Sequence, residues 1–137
     1  MDTLLKRRIL VVDDEVDILT LVTARLRQNG YEVTVASDGI EGLEKAEKER
    51  PDLILVDVSM PQMNGFQMVQ LLRLDDSLKE TPVLVITASR QKDEMAWRKQ
   101  VGVTQFILKP FESKELLEKV EKALRPNGKL KGSRKVA

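Results

Sequence analysis

Ile9-Leu10-Val11-Val12-Asp13-Asp14 and, forty residues on, Leu53-Ile54-Leu55-Val56-Asp57 decide how this chain is read. Each is a short unbroken apolar run that stops on aspartate, as expected of a strand buried on both faces of a parallel sheet. If the two runs are neighbours in one sheet, their ends lie side by side. Three carboxylates then share a crevice at the carboxyl edge, where open α/β sheets bind ligands. Such crowding is unfavourable unless a cation joins it.

Outward from these runs, strand and helix patterns alternate five times, which points to a parallel sheet with helices on both faces. After the first strand (residues 9–12), Ile18, Leu19, Val22 and Leu26 fall on one helical stripe that stops at Asn29-Gly30. Residues 32–36 alternate as a second strand, and Asp38 with Glu41 has the spacing of a capping box. Residues 53–56 form the third strand. Asn64-Gly65 reads as a turn into a helix carrying Phe66, Val69 and Leu72, because the flanking spacing is helical.

The fourth strand, residues 83–86, ends at Thr87. Residues 90–101 make the least apolar helix, with Met95, Ala96, Trp97 and Val101. The fifth strand, residues 106–108, ends at Lys109-Pro110, and Ser113 is expected to cap a helix with Leu116, Leu117, Val120 and Leu124 inward. Trp97, the one tryptophan, is expected to pack one ring face on the body and expose the other.

Composition removes whole classes of chemistry. The 137 residues include no histidine and no cysteine, so a Ser-His-Asp triad, a Cys-His pair, a zinc site of the usual ligands and a disulfide scaffold are excluded. The length suits one domain. No secretory signal and no bilayer-spanning run is legible, giving a reading of a soluble, cytoplasmic protein with no membrane role. Net charge is +1, but residues 126–137 carry Lys129, Lys131, Arg134 and Lys135 without an acid, leaving 19 basic residues against 22 acidic elsewhere. That tail is read as disordered and solvated, and no nucleic-acid surface is predicted.

The surviving chemistry is that of carboxylate, hydroxyl and lysine. Asp57 is expected to be ionised at neutral pH, and a carboxylate oxygen can attack phosphorus to give an acyl phosphate. Nucleophile and donor are both anionic. Mg²⁺ relieves that repulsion and suits one or two carboxylates with waters, so Asp14 and Asp57 are candidate direct ligands and Asp13 a ligand through water. In a sheet ordered 2-1-3-4-5, Thr87 and Lys109 flank the same crevice and can each meet one phosphoryl oxygen.

Val12-Asp13-Asp14-Glu15, Asp57-Val58-Ser59-Met60-Pro61 through Asn64-Gly65, Ile86-Thr87-Ala88 and Phe106-Ile107-Leu108-Lys109-Pro110-Phe111 together closely resemble the receiver domain of bacterial two-component response regulators, of the single-domain, chemotaxis-regulator kind. The resemblance covers residues 6–125, leaving 126–137 as the tail. It implies a flavodoxin-like, doubly wound (βα)5 fold, with a five-stranded parallel sheet in the order 2-1-3-4-5. It implies Asp57 as phosphoacceptor from a phosphohistidine on a sensor histidine kinase or phosphotransfer protein. Asp13 and Asp14 become the acidic pair, with the Ser59 backbone carbonyl completing the Mg²⁺ shell. Thr87 and Phe106 become the switch pair, Lys109 the phosphoryl contact, and Lys109-Pro110 a cis bond. Output to a protein partner is implied through the fourth helix, fifth strand and fifth helix.

The chain departs from the family pattern at Phe106, where tyrosine is common, and at Val103 and Thr104, where a small residue and an acid are common. The resemblance also implies that Ser59 and Ser89 hold positions that tune acyl-phosphate lifetime in that family. The leading expectation is a stand-alone phosphorylation switch, not an enzyme beyond its own phosphorylation and dephosphorylation. Two alternatives stay open: a Mg²⁺-dependent phosphohydrolase working through an aspartyl phosphate, and a receiver fragment of a longer DNA-binding regulator. A phosphorylation-independent scaffold is disfavoured by the intact acceptor, acid pair, threonine and lysine. Taken singly, the residues have plainer readings: Asp-Asp as a helix N-cap pair, Lys109 as a solvated strand end and Phe106 as a core ring.

Overall fold

The computed structural model describes residues 6–60, 62–88, 94–103 and 105–125. Five strands and five helices alternate: β1 (Arg8–Val12), α1 (Val16–Gln28), β2 (Glu32–Ala36), α2 (Gly39–Glu49), β3 (Leu53–Asp57), α3 (Gly65–Leu72), β4 (Val83–Thr87), α4 (Glu94–Val101), β5 (Gln105–Leu108) and α5 (Ser113–Ala123). The strands are all parallel, in the order β2-β1-β3-β4-β5, as read from the sequence. The order in which strands are added reverses at β1, with β2 on one side and β3 on the other, and the crevice opens between β1 and β3.

Strand alternation sends successive side chains to two cores. Leu10, Val12, Ile54, Val56, Val83 and Val85 face α2, α3 and α4, which supply Ala46, Met68, Val69, Leu72, Trp97 and Val101. Ile9, Val11, Leu53, Leu55, Leu84, Ile86 and Ile107 face α1 and α5, which supply Val22, Leu26, Leu116, Val120 and Leu124. β3 and β4 are buried at every position, so their runs could not alternate with polar residues.

Local signals were answered in part as expected. Gly30 closes α1 at φ 90°, a left-handed conformation that suits glycine. Asp38 caps α2 by accepting from Glu41 N at 2.8 Å, but Glu41 Oε1 reaches Ser37 N, one residue beyond the usual partner. Asn64 is a helix cap and not a free-standing turn residue. It accepts from Gln67 N at 2.9 Å and donates its own N–H to Gln67 Oε1 at 3.0 Å, so a two-way box starts α3.

The expected Ser113 cap is absent. Glu112 holds the cap position without a side-chain bond, and Ser113 Oγ accepts from Arg25 Nε at 2.7 Å, tying α5 to α1. The neighbouring helix offers that hydroxyl a charged donor, a stronger partner than a neutral amide. α4 is described from Glu94; residues 90–93 of the anticipated helix, Ser89, Thr104 and the basic tail lie outside the described residues. Among the described residues no helix is long and apolar enough to cross a membrane.

Candidate functional site

The carboxyl ends of β1, β3, β4 and β5 build the site. Asp13 extends the ladder one residue past β1, donating its N–H to Ala36 O at 3.1 Å, and Lys109 does the same past β5 toward Thr87 O at 2.8 Å. Asp57 is the last residue of β3. Asp13, Asp57 and Lys109 therefore keep the alternation of Val11, Leu55 and Ile107, and arrive on one face of the sheet edge. Thr87, the buried end of β4, keeps the alternation of Val85 on the other. Phe106 pairs with Val85 across the β4–β5 ladder, so Thr87 and Phe106 share that second face.

The three aspartates are brought together as the sequence reading required. Asp13, Asp14 and Asp57 each offer a carboxylate oxygen, and these oxygens lie within 4.8 Å of one another. Asp13 is 0% and Asp57 5% exposed, whereas Asp14 faces solvent. Lys109 Nζ stands 3.2 Å from Asp13 Oδ2 and 3.7 Å from Asp57 Oδ2. Ser59 N–H approaches Asp57 Oδ1 at 3.4 Å, and Glu15 N donates to Asp13 Oδ1 at 2.9 Å.

The electrostatics correct one expectation. Asp57 is not an ordinary ionised aspartate in the metal-free protein: burial, with the adjacent Asp13 charge, raises its pKa to about 7, against the opposing pull of Lys109 and the Ser59 N–H. Asp13 is also raised, by burial, with the Glu15 N–H and Lys109 opposing. Burial acts to lower the Lys109 ammonium, but Glu15, Asp13 and Asp57 together outweigh it and raise the group above its ordinary value. Asp13 Oδ2 is buried and accepts no well-aligned hydrogen bond. The Lys109 ammonium at 3.2 Å is the cation beside that oxygen, but three carboxylates gathered around one ammonium favour a further positive charge, and hard carboxylate oxygens are the donors that Mg²⁺ selects.

Three residues were missed or misplaced by the sequence reading. Glu15 holds the N-cap position of α1 but makes no capping bond; its Oε1 pairs instead with Lys109 Nζ. Gly65 is packed so closely under Asp57 that an added Cβ would lie 2.3 Å from the Asp57 carbonyl oxygen. Trp97 is 1% exposed, with no face in solvent. Its ring meets Phe66 edge-on at 4.9 Å and Phe106 at 6.3 Å between centroids. The polar sequence of α4 hid this, because among its described side chains only Trp97 and Val101 are buried.

A family model described as the response regulator receiver domain matches residues 9–121. The chain belongs to that family. Phosphorylation on aspartate is general for receivers. The chain is 38% identical over 121 residues to the Bacillus subtilis alkaline phosphatase synthesis transcriptional regulatory protein PhoP, covering 88% of this chain and 50% of PhoP. It is 34% identical over 117 residues to Protein PilH of Pseudomonas aeruginosa, covering 85% of this chain and 97% of PilH. The chain thus spans about half the length of PhoP and nearly all of PilH.

Solved receivers agree in shape. The chemotaxis protein CheY4 of Vibrio cholerae superposes with a TM-score of 0.83 at 38% identity, covering 88% of this chain and 100% of that one. The receiver domain of the sensor histidine kinase PA1611 from Pseudomonas aeruginosa superposes at 0.79 with 29% identity, covering 88% and 98%. That PA1611 structure has a magnesium ion coordinated in its active-site cleft.

Proposed function

We propose that Asp57 of this receiver accepts a phosphoryl group from a phosphohistidine on a sensor histidine kinase or phosphotransfer protein. The observation that carries the reading is the convergence of Asp13, Asp14 and Asp57 with Lys109 at one sheet edge. In the transfer, an Asp57 carboxylate oxygen forms the new bond to phosphorus as the P–N bond breaks. The bonding pair stays on the histidine nitrogen, which takes up a proton. Lys109 meets the charge on one phosphoryl oxygen, and the Thr87 hydroxyl donates to another.

Asp14 and Asp57 would hold Mg²⁺ directly, Asp13 through a water, with the Ser59 carbonyl completing the set. Bound there, the ion offsets the repulsion between the Asp57 carboxylate and the anionic donor. Support comes from the three carboxylates gathered around a single ammonium and from the magnesium in the PA1611 receiver. Beyond accepting and losing the phosphoryl group, the protein has no enzymatic role in this proposal, and its compartment is the cytoplasm. The receiver unit is residues 6–125, and its output goes to a protein partner through α4, β5 and α5. The Thr87–Phe106 pair drives that output, and Trp97 carries ring movement into α4.

Relatives of both kinds match, PilH and CheY4 over nearly their full lengths and PhoP over half of its own, so the same Asp57 chemistry serves a stand-alone switch in the first reading and the receiver of a longer transcriptional regulator in the second. The phosphorylation test is incubation with Mg²⁺ and acetyl phosphate, followed by intact-mass comparison of wild type and Asp57→Asn. An acid-stable, base-labile phosphoryl adduct on wild type alone is expected; its absence from wild type, or its presence on the variant, overturns the assignment.

A further inference from the structure

Glu15 is the acid of the site that the proposed chemistry does not use. Its backbone begins α1 in extended geometry, where a side chain ordinarily turns back to cap the helix, yet no such bond forms. The carboxylate points instead across the crevice to Lys109 Nζ, a residue 94 positions away in sequence. The same ammonium lies 3.2 Å from Asp13 Oδ2 and 3.7 Å from Asp57 Oδ2. It is 14% exposed, while the Glu15 side chain is 57% exposed and lies outside the three-aspartate cluster.

Lys109 is thus the cation that the acidic cluster holds when no metal is bound. A divalent ion seated on Asp13, Asp14 and Asp57 repels that ammonium, since like charges a few ångströms apart are strongly unfavourable in a partly buried site. The lysine must then give up two of its three carboxylate partners. Glu15 is the one that stays available. We propose that Glu15 is a positioning residue for Lys109: it draws the ammonium to the rim, clears the cluster for Mg²⁺, and keeps the lysine within reach of an incoming phosphoryl group. This rests on the reading of the cluster as a Mg²⁺ site. Without Glu15, the ammonium settles wholly on Asp13 and Asp57 and competes with the metal.

Isothermal titration of Mg²⁺ into the wild type, Glu15→Gln, Lys109→Gln and the double variant tests this, with Glu15→Asp as the conservative control. Glu15 is exposed enough that its replacement leaves the fold intact, as circular dichroism can check. Glu15→Gln is expected to weaken Mg²⁺ binding about three- to tenfold, the scale of a partly exposed charged contact. In the Lys109→Gln background the same change has little effect, and Glu15→Asp recovers part of the affinity. An equal loss in both backgrounds means that Glu15 acts only as a distant negative charge and overturns the inference, as does tighter or unchanged binding by Glu15→Gln. A wild type that binds no Mg²⁺ overturns the metal reading itself, a separate outcome.

Discussion

Asp57→Asn is expected to stabilise the metal-free protein, and to do so more at high pH than at low. The carboxyl is buried beside Asp13, and its pKa stands at about 7 in the folded protein against 3.8 for an ordinary aspartate. Below about pH 4 it is protonated in both folded and unfolded states, and the fold carries no penalty. As the pH climbs from about 4 to about 7, the unfolded chain releases its proton first, so stability falls. Above about 7 both states are ionised and the deficit is constant, at most roughly 4 kcal/mol and nearer 2–4 once the folded site relaxes around the charge.

Asparagine has the same shape and no charge, so it removes the deficit wherever the wild type carries one. The assay is urea unfolding in EDTA at pH 5 and pH 8.5. The stabilisation by Asp57→Asn should be roughly 2–3 kcal/mol larger at pH 8.5 than at pH 5. That figure already contains the repulsion by Asp13, one of the causes of the Asp57 shift. Adding Mg²⁺ should raise the wild-type midpoint and narrow the gap, because the ion compensates the same charge. An equal gain at both pH values, or none at pH 8.5, refutes the account of a buried, repelled carboxylate.

Gly65→Ala sets helix propensity against sterics. Alanine is favoured by about 1 kcal/mol inside a helix, but its Cβ would lie 2.3 Å from the Asp57 carbonyl oxygen and 3.1 Å from the carbonyl carbon, neither of which can rotate away. A net loss of about 1–3 kcal/mol in urea unfolding is expected, with slower phosphorylation by acetyl phosphate; a raised midpoint would show that the contact is soft. Arg73→Met removes a guanidinium that donates to Val101 O at 2.8 Å, Leu78 O at 3.1 Å and Thr81 O at 2.7 Å, joining the end of α3 to the end of α4 and the turn before β4. A loss of about 2–4 kcal/mol, with faster hydrogen exchange at α4, is the expected outcome, and a change under about 0.5 kcal/mol contradicts it.

Much of the site was legible because it is written at strand ends. A strand buried on both faces must be a continuous apolar run, so its last residue is marked by the first polar side chain. Asp13, Asp57 and Thr87 are each found that way; Lys109 ends β5, a part-buried edge strand whose run is apolar all the same, and parallel pairing then aligns the four. The ionisation state of Asp57 was not legible. It depends on how deeply the edge is covered and on which carboxylate comes beside it, and both are properties of the closed fold. The Ser113 cap failed for a related reason: the local signal was sound, but a guanidinium from α1 offered the hydroxyl a better partner.

Trp97 shows how far periodicity misleads when one residue dominates a helix. Across residues 90–101 only Met95, Ala96, Trp97 and Val101 are apolar, and counting them gives a weakly anchored, surface-lying element. A ring of this size buries far more area than an aliphatic side chain, and here it sits between Phe66 of α3 and Phe106 of β5 with both contacts edge-on. Val101, one turn on, is buried in the same core and its carbonyl accepts from Arg73 Nε at 2.8 Å, so the helix is held along a short Trp97–Val101 edge and the exposed positions carry its polar residues. In the proposed switch, a movement of the half-buried Phe106 ring would reach α4 through Trp97, the ring that stands between Phe106 and Phe66. The missing hydroxyl at position 106 then loses some of its importance, because Phe106 has an aromatic edge in Trp97 against which ring packing alone can act.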